Sequence, residues 1–176
     1  MAIGWGVFVV AIGATIGFGH VKCYRMPTAS MTPTLQSGDN IVTEGLSARG
    51  RKPQRGEVIV FRTNLLSKIG RDQVYVKRLV GLPGEHLKFQ EGDLFINGVR
   101  TPVFNRAGEI HFLKTRTSSP SPEDGDFEVP PGQYFVMGDN SAHSADSRDF
   151  GCVPGESILG RVVYCYWPTD HAGAIR

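Results

Sequence analysis

From residue 36 onward the apolar positions come in short blocks separated by Gly, Pro, Asn and Asp. "DNIVTEGL" has an apolar centre behind the turn "QSGD". "GEVIVFR" is a continuous apolar run opened by "QRG", the pattern of a strand buried on both faces. "QVYVKRLVG" alternates, with Val74, Val76 and Arg78 on one side and Tyr75, Lys77 and Leu79 on the other. "LFINGVR" carries Asn97-Gly98, a strong hairpin signal. "QYFVMGD" and "ILGRVVYCYWP" complete the set, and no long amphipathic helix is visible. The pattern predicts a mainly β fold built from antiparallel hairpins.

Residues 2–19, "AIGWGVFVVAIGATIGFG", break this rhythm, with no charge and no proline. Eighteen helical residues rise about 27 Å, close to a hydrocarbon core of roughly 30 Å. Their five glycines weaken a helix in water but are common in membrane helices. A buried soluble helix and a cleaved export signal compete with this reading. The expectation adopted is an uncleaved transmembrane anchor over 1–20, with residues 20–29 as its tether. Lys22 and Arg25 follow it, so the positive-inside rule alone places the rest of the chain in the cytoplasm, by a thin margin.

Composition narrows the picture. With 19 basic and 17 acidic residues, the chain lacks the basic excess of a general nucleic-acid binder. Three cysteines, Cys23, Cys152 and Cys165, have no CxxC spacing and spell neither a zinc site nor a disulfide framework. Cys152 and Cys165 could pair in an oxidising compartment, but free thiols are the reading taken. "TRTSSPSPEDGD" is rich in Ser, Pro and charge and reads as an exposed loop. The expected division is an anchor over 1–20, a core over 21–87 and 133–170, an insertion over 88–132 and a polar tail over 171–176.

Two stretches carry candidate chemistry. "MPTASMTPTL" sets Ser30 between proline-braced turns, and a serine hydroxyl needs a base before it becomes a nucleophile. None of the five histidines lies near it in sequence, and only His143 keeps company that looks functional. Lys77 stands mid-strand among apolar residues, where burial disfavours the ammonium and lowers the pKa. Neutral lysine is a competent base for serine. The plain alternatives are a turn serine and an edge-strand lysine that blocks aggregation.

"PTASMTPTL", "YVKRLVGLPGE", "GDNSAHSADSRDFG" and "GRVVYCYWP" together resemble the ordered signature boxes of bacterial type I signal peptidases, over residues 26–168 with the insertion unmatched. These are membrane-anchored serine proteases with a Ser-Lys dyad. The resemblance implies antiparallel sheets coiled into a barrel-like catalytic core behind a transmembrane helix. It implies Ser30 as nucleophile and Lys77 as general base, with Ser144 orienting the lysine. Thr28 and the Ser30 backbone N–H would form the oxyanion hole. Arg78 with Asp139, and Asp146 with Arg148, match supporting ion pairs. Met26, Pro27, Met31, Leu35, Tyr75 and Val76 match positions lining the substrate pockets, although plain core is an equal reading for each.

The implied partners are signal peptides of exported preproteins and a lipid bilayer, with no nucleic acid, no cofactor and no metal. A calcium loop at the acids after Gly138 fails the EF-hand pattern, because positions 141 and 143 are Ser and His. The implied location is the bacterial cytoplasmic membrane, single-pass, with the catalytic domain outside the cytoplasm, against the charge margin noted above. Competing readings are a pilin-processing peptidase with the same dyad, a self-cleaving SOS-repressor protease and a tethered β module without activity. The repressor class carries a DNA-binding domain where this chain has an apolar segment.

Overall fold

The computed structural model describes residues 21–46, 51–112 and 126–175. The anchor expected over 1–20 lies outside them, as does the polar stretch 115–125. Among the described residues no helix is long and apolar enough to cross a membrane.

Among the described residues fourteen strands follow in chain order: β1 (Val21–Arg25), β2 (Asn40–Glu44), β3 (Val58–Arg62), β4 (Val74–Gly81), β5 (His86–Gln90), β6 (Asp93–Ile96) and β7 (Val99–Arg100), then β8 (Phe104–Asn105), β9 (Gly108–Glu109), β10 (Phe127–Glu128), β11 (Gln133–Met137), β12 (Val153–Pro154), β13 (Ile158–Trp167) and β14 (Gly173–Ala174). A four-residue α-helical turn, α1 (Ser147–Phe150), precedes β12. All pairings among the described residues are antiparallel.

The main sheet has the order β1-β2-β13-β3-β4-β11-β12, with β14 added beside β13. The expected barrel-like closure is not made among the described residues. The path ends at β1 on one side and at two-residue β12 on the other, where Pro154 has no N–H to extend a ladder. A second sheet, β10-β5-β6-β7, and a two-residue hairpin, β8-β9, occupy the expected insertion. The second sheet begins at His86. Its Leu87, Phe89, Leu94 and Ile96 share one core with Val80, Phe135 and Met137 of the main sheet.

This packing explains β4. An alternating strand is expected to wet one face, yet Val76 through Gly81 are all buried. Apolar clusters lie on both sides of it: Val76 packs with Met26, Met31 and Leu35, and Leu79 with Ile59, Phe61 and Phe150. The apolar run of β3, from Val58 to Phe61, is likewise buried throughout. At the hairpin between β6 and β7, Asn97 and Gly98 both take positive φ, 51° and 80°, as the primed turn demands. The polar tail is partly strand, since Gly173 pairs opposite Cys165 and Ala174 opposite Tyr164.

Candidate active site

Strand β4 and the loop after β1 meet at one point. Lys77 Nζ donates to Ser30 Oγ at 2.7 Å. The lysine is 4% exposed and the serine is also buried. Burial lowers the Lys77 pKa to about 8 against the opposing pull of Asp146 and Asp139. The Tyr75 ring, 5.6 Å from Nζ, adds a weak contact that favours the ammonium. Desolvation outweighs both because each carboxylate already serves an arginine.

Those arginines belong to two buried pairs. Arg78 Nε donates to Asp139 Oδ1 at 2.7 Å and Nη2 to Oδ2 at 2.6 Å, a fork that leaves both groups buried. Thr34 Oγ1 donates to the same carboxylate and receives Arg78 Nη2 at 3.2 Å. Arg148 grips Asp146 through Nε and Nη2, both at 2.8 Å. Asp146 also caps α1 and accepts from the Gly138 N–H at 3.1 Å.

The serine turn is tied directly to this loop. Asn140 N–H donates to the Ser30 carbonyl at 3.1 Å, and its side-chain amide to the Ala29 carbonyl at 3.2 Å. Gly138 makes the approach possible. A Cβ there would lie 2.6 Å from the Ser30 carbonyl oxygen and 2.2 Å from Ser144 Oγ.

Around the dyad runs a groove of about 600 Å³, lined by Met26, Pro27, Thr28, Tyr75 and Val76 with Tyr24, Val74 and His143. One wall has an open edge. Strand β3 pairs with all of Val74–Arg78, whereas β11 reaches only from Arg78 to Gly81. Val74–Lys77 therefore have a strand on one side and the groove on the other.

A family model described as "Signal peptidase, peptidase S26" matches residues 2–167. The chain belongs to this family. It is 35% identical to "Probable signal peptidase I-2" of Synechocystis over 168 residues, covering 95% of this chain and 72% of that one. It is 36% identical to "Signal peptidase I" of Bacillus caldolyticus, covering 93% and 90% respectively. A solved signal peptidase I from Enterococcus faecalis is 31% identical, with a TM-score of 0.46, covering 63% of this chain and 97% of that one.

Within this signal peptidase fold the remaining sequence candidates divide. Thr28 Oγ1 lies 3.3 Å from Ser30 Oγ and donates to it, so the hydroxyl stands beside the dyad on the groove side. Met31 and Leu35 do not line the groove; both are fully buried in the core with Ile41 and Val58. The turn after Ser30 points them inward, so they shape the site from beneath. Ser144 differs from expectation as well. Its buried Oγ makes no hydrogen bond, and the lysine-orienting contact is not formed in this state. His143 is exposed and its ring faces Asn140 Oδ1 at 3.3 Å.

Sequence reasoning missed Thr34, Gly138 and Asn140. Each acts through a partner over 100 residues away in sequence, Asp139 for Thr34, Ala29 for Asn140 and Ser30 for Gly138. Their presence in the quoted boxes was the available signal.

Proposed function

We propose that this peptidase is a membrane-bound serine endopeptidase that removes signal peptides from exported preproteins after Ala-x-Ala sites, with Ser30 as nucleophile and Lys77 as general base. The observation that carries the assignment of roles is the 2.7 Å contact between a buried amine and the serine hydroxyl. Uncharged Lys77 takes the Ser30 proton as Oγ adds to the scissile carbonyl. The Ser30 N–H and the Thr28 hydroxyl, rotated away from Oγ, meet the developing oxyanion; a donor of this kind is worth about 2.7–4 kcal/mol. Lys77 then returns the proton to the leaving amine, freeing the mature chain. Water, deprotonated by the same lysine, releases the signal peptide from the ester.

The open edge at Val74–Lys77 suits an extended substrate added as a strand. Met26, Pro27, Tyr75 and Val76 around it suit small apolar side chains at the first and third positions before the cut. Ser144 takes the role of holding the ammonium after proton transfer, and the two ion pairs hold the loop. Exposed Tyr164, Tyr166 and Trp167 on β13 suit an interfacial surface beside a single-pass anchor. The catalytic domain is assigned to the extracytoplasmic side, where crossed signal peptides are found.

Cleavage of a preprotein with an Ala-x-Ala site, by the purified chain in detergent, tests the proposal. Wild type is expected to cut after the second alanine, with Ser30→Ala and Lys77→Met inactive yet folded. Undiminished cleavage by either variant overturns the assignment.

A further inference from the structure

At the opposite end of β13 from the dyad's neighbour strand, three metal-ligating side chains converge that the peptidase chemistry does not use. Strand β2 begins just after Asp39, and its pairing with β13 sets Cys165 opposite Ile41. The turn after Trp167 brings His171 back over the same place, and Gly173 pairs with Cys165. One ligand atom from each of Asp39, Cys165 and His171 lies within 4.8 Å of the others. His171 Nε2 stands 3.5 Å from Asp39 Oδ1.

We propose that Asp39, Cys165 and His171 form a binding site for a divalent transition metal, zinc fitting the donors best. Carboxylate oxygen, thiolate sulfur and imidazole nitrogen are the three zinc donor types, with bonds near 2.0–2.3 Å. A tetrahedron with those bonds has edges of about 3.3–3.5 Å, the separation already present between His171 and Asp39. The His171 side chain is 24% exposed, so solvent reaches the cluster from its side.

The electrostatics of Asp39 argue the same way. Asp139 and Asp146, equally buried, are each gripped by a guanidinium. Asp39 instead accepts from the Gln36 N–H at 2.8 Å and otherwise faces an imidazole and a thiol. Among the described residues no arginine or lysine pairs with Asp39, and a metal ion shared with His171 and Cys165 would set a full positive charge beside it. The sulfur does not suit a nucleophile, because Cys165 is fully buried. Arg106 positions the third ligand, donating to the His171 carbonyl at 3.1 Å and the Ala174 carbonyl at 2.9 Å.

The site also reaches the peptidase loop. Met26 N–H donates to the Asp39 carbonyl at 2.7 Å, and Gly38 N–H to the Met26 carbonyl at 2.8 Å. Residues 26 and 39 thus close the base of the loop that presents Ser30. A bound ion would clamp that base to β13 and the returning turn, raising the stability of the folded chain by linkage.

The test uses the full chain in detergent, stripped with a chelator and titrated with zinc alone, then with cobalt as a spectroscopic probe. One zinc per chain, a melting temperature raised by zinc, and a cobalt spectrum with thiolate charge transfer are expected. His171→Asn, a change at a partly exposed side chain, should weaken zinc binding by about tenfold or more. Cys165→Ser should abolish the charge-transfer band, while Cys23→Ser leaves both readouts unchanged. Absence of stoichiometric binding overturns the proposal, as does binding that survives undiminished in both His171→Asn and Cys165→Ser. None of these readouts depends on proteolysis.

Discussion

Lys77 Nζ and Ser30 Oγ are in hydrogen-bond contact across 47 residues of sequence, inside a niche that shields both. The contact exists because β4 is buried on both faces and the serine loop folds down upon it. An amine in water stays protonated near pH 10, whereas this one gives up its proton at about 8. Four consequences are measurable.

Activity is predicted to rise with pH. Burial lowers the Lys77 pKa, so the competent uncharged form is scarce at pH 6 and dominant above about 8. The kcat/KM of the free enzyme should climb roughly tenfold per pH unit below that midpoint and level off above it. A profile flat from mildly acid to alkaline pH contradicts the role.

The same shift makes Lys77 a burden on the fold. Its folded pKa of about 8 lies below the value of 10.5 for an unperturbed lysine. The unfolded chain therefore binds more protons between those values, and stability rises with pH through that window. At pH 7 the cost is fully present, of order 3 kcal/mol. Lys77→Met should accordingly be at least as stable as wild type in urea at pH 7 while being inactive.

Losing one member of a buried pair acts in the other direction. Arg78→Met strands Asp139, and Asp146→Asn weakens the grip on Arg148; a cost near 3–5 kcal/mol is expected for the first. Urea unfolding should show this loss, and activity should vanish through unfolding of the loop rather than through chemistry.

Ser144→Ala should separate the two effects. Its hydroxyl is buried and unpartnered, so removing it costs no hydrogen bond and stability should hold or rise slightly. If it holds the ammonium during turnover, kcat falls by about tenfold or more. Unchanged kcat would leave Ser144 as packing against Gly138. Gly138→Ala, by contrast, forces a methyl group onto the Ser30 carbonyl and should depress kcat strongly.

Much of this site was legible because its information is local. Ser30 between prolines, Lys77 in an apolar strand and Asn97-Gly98 between strands each declare themselves within a few residues. The rest depends on what the chain meets. Alternation in β4 named its two faces but could not show that the serine loop packs on Val76 while Phe61 and Phe150 pack on Leu79. Met31 and Leu35 follow the nucleophile in sequence, yet the turn buries them beneath it. Asp39, Cys165 and His171 are unremarkable apart; only the β2–β13 pairing and the turn after Trp167 bring them together.

The most direct test is to acylate the enzyme and find the adduct. Incubation with a serine-acylating penem, followed by proteolysis and tandem mass spectrometry, should place a single adduct on Ser30, abolished in Ser30→Ala and greatly slowed in Lys77→Met. An adduct on another residue, or acylation of Lys77→Met at the wild-type rate, would contradict the account.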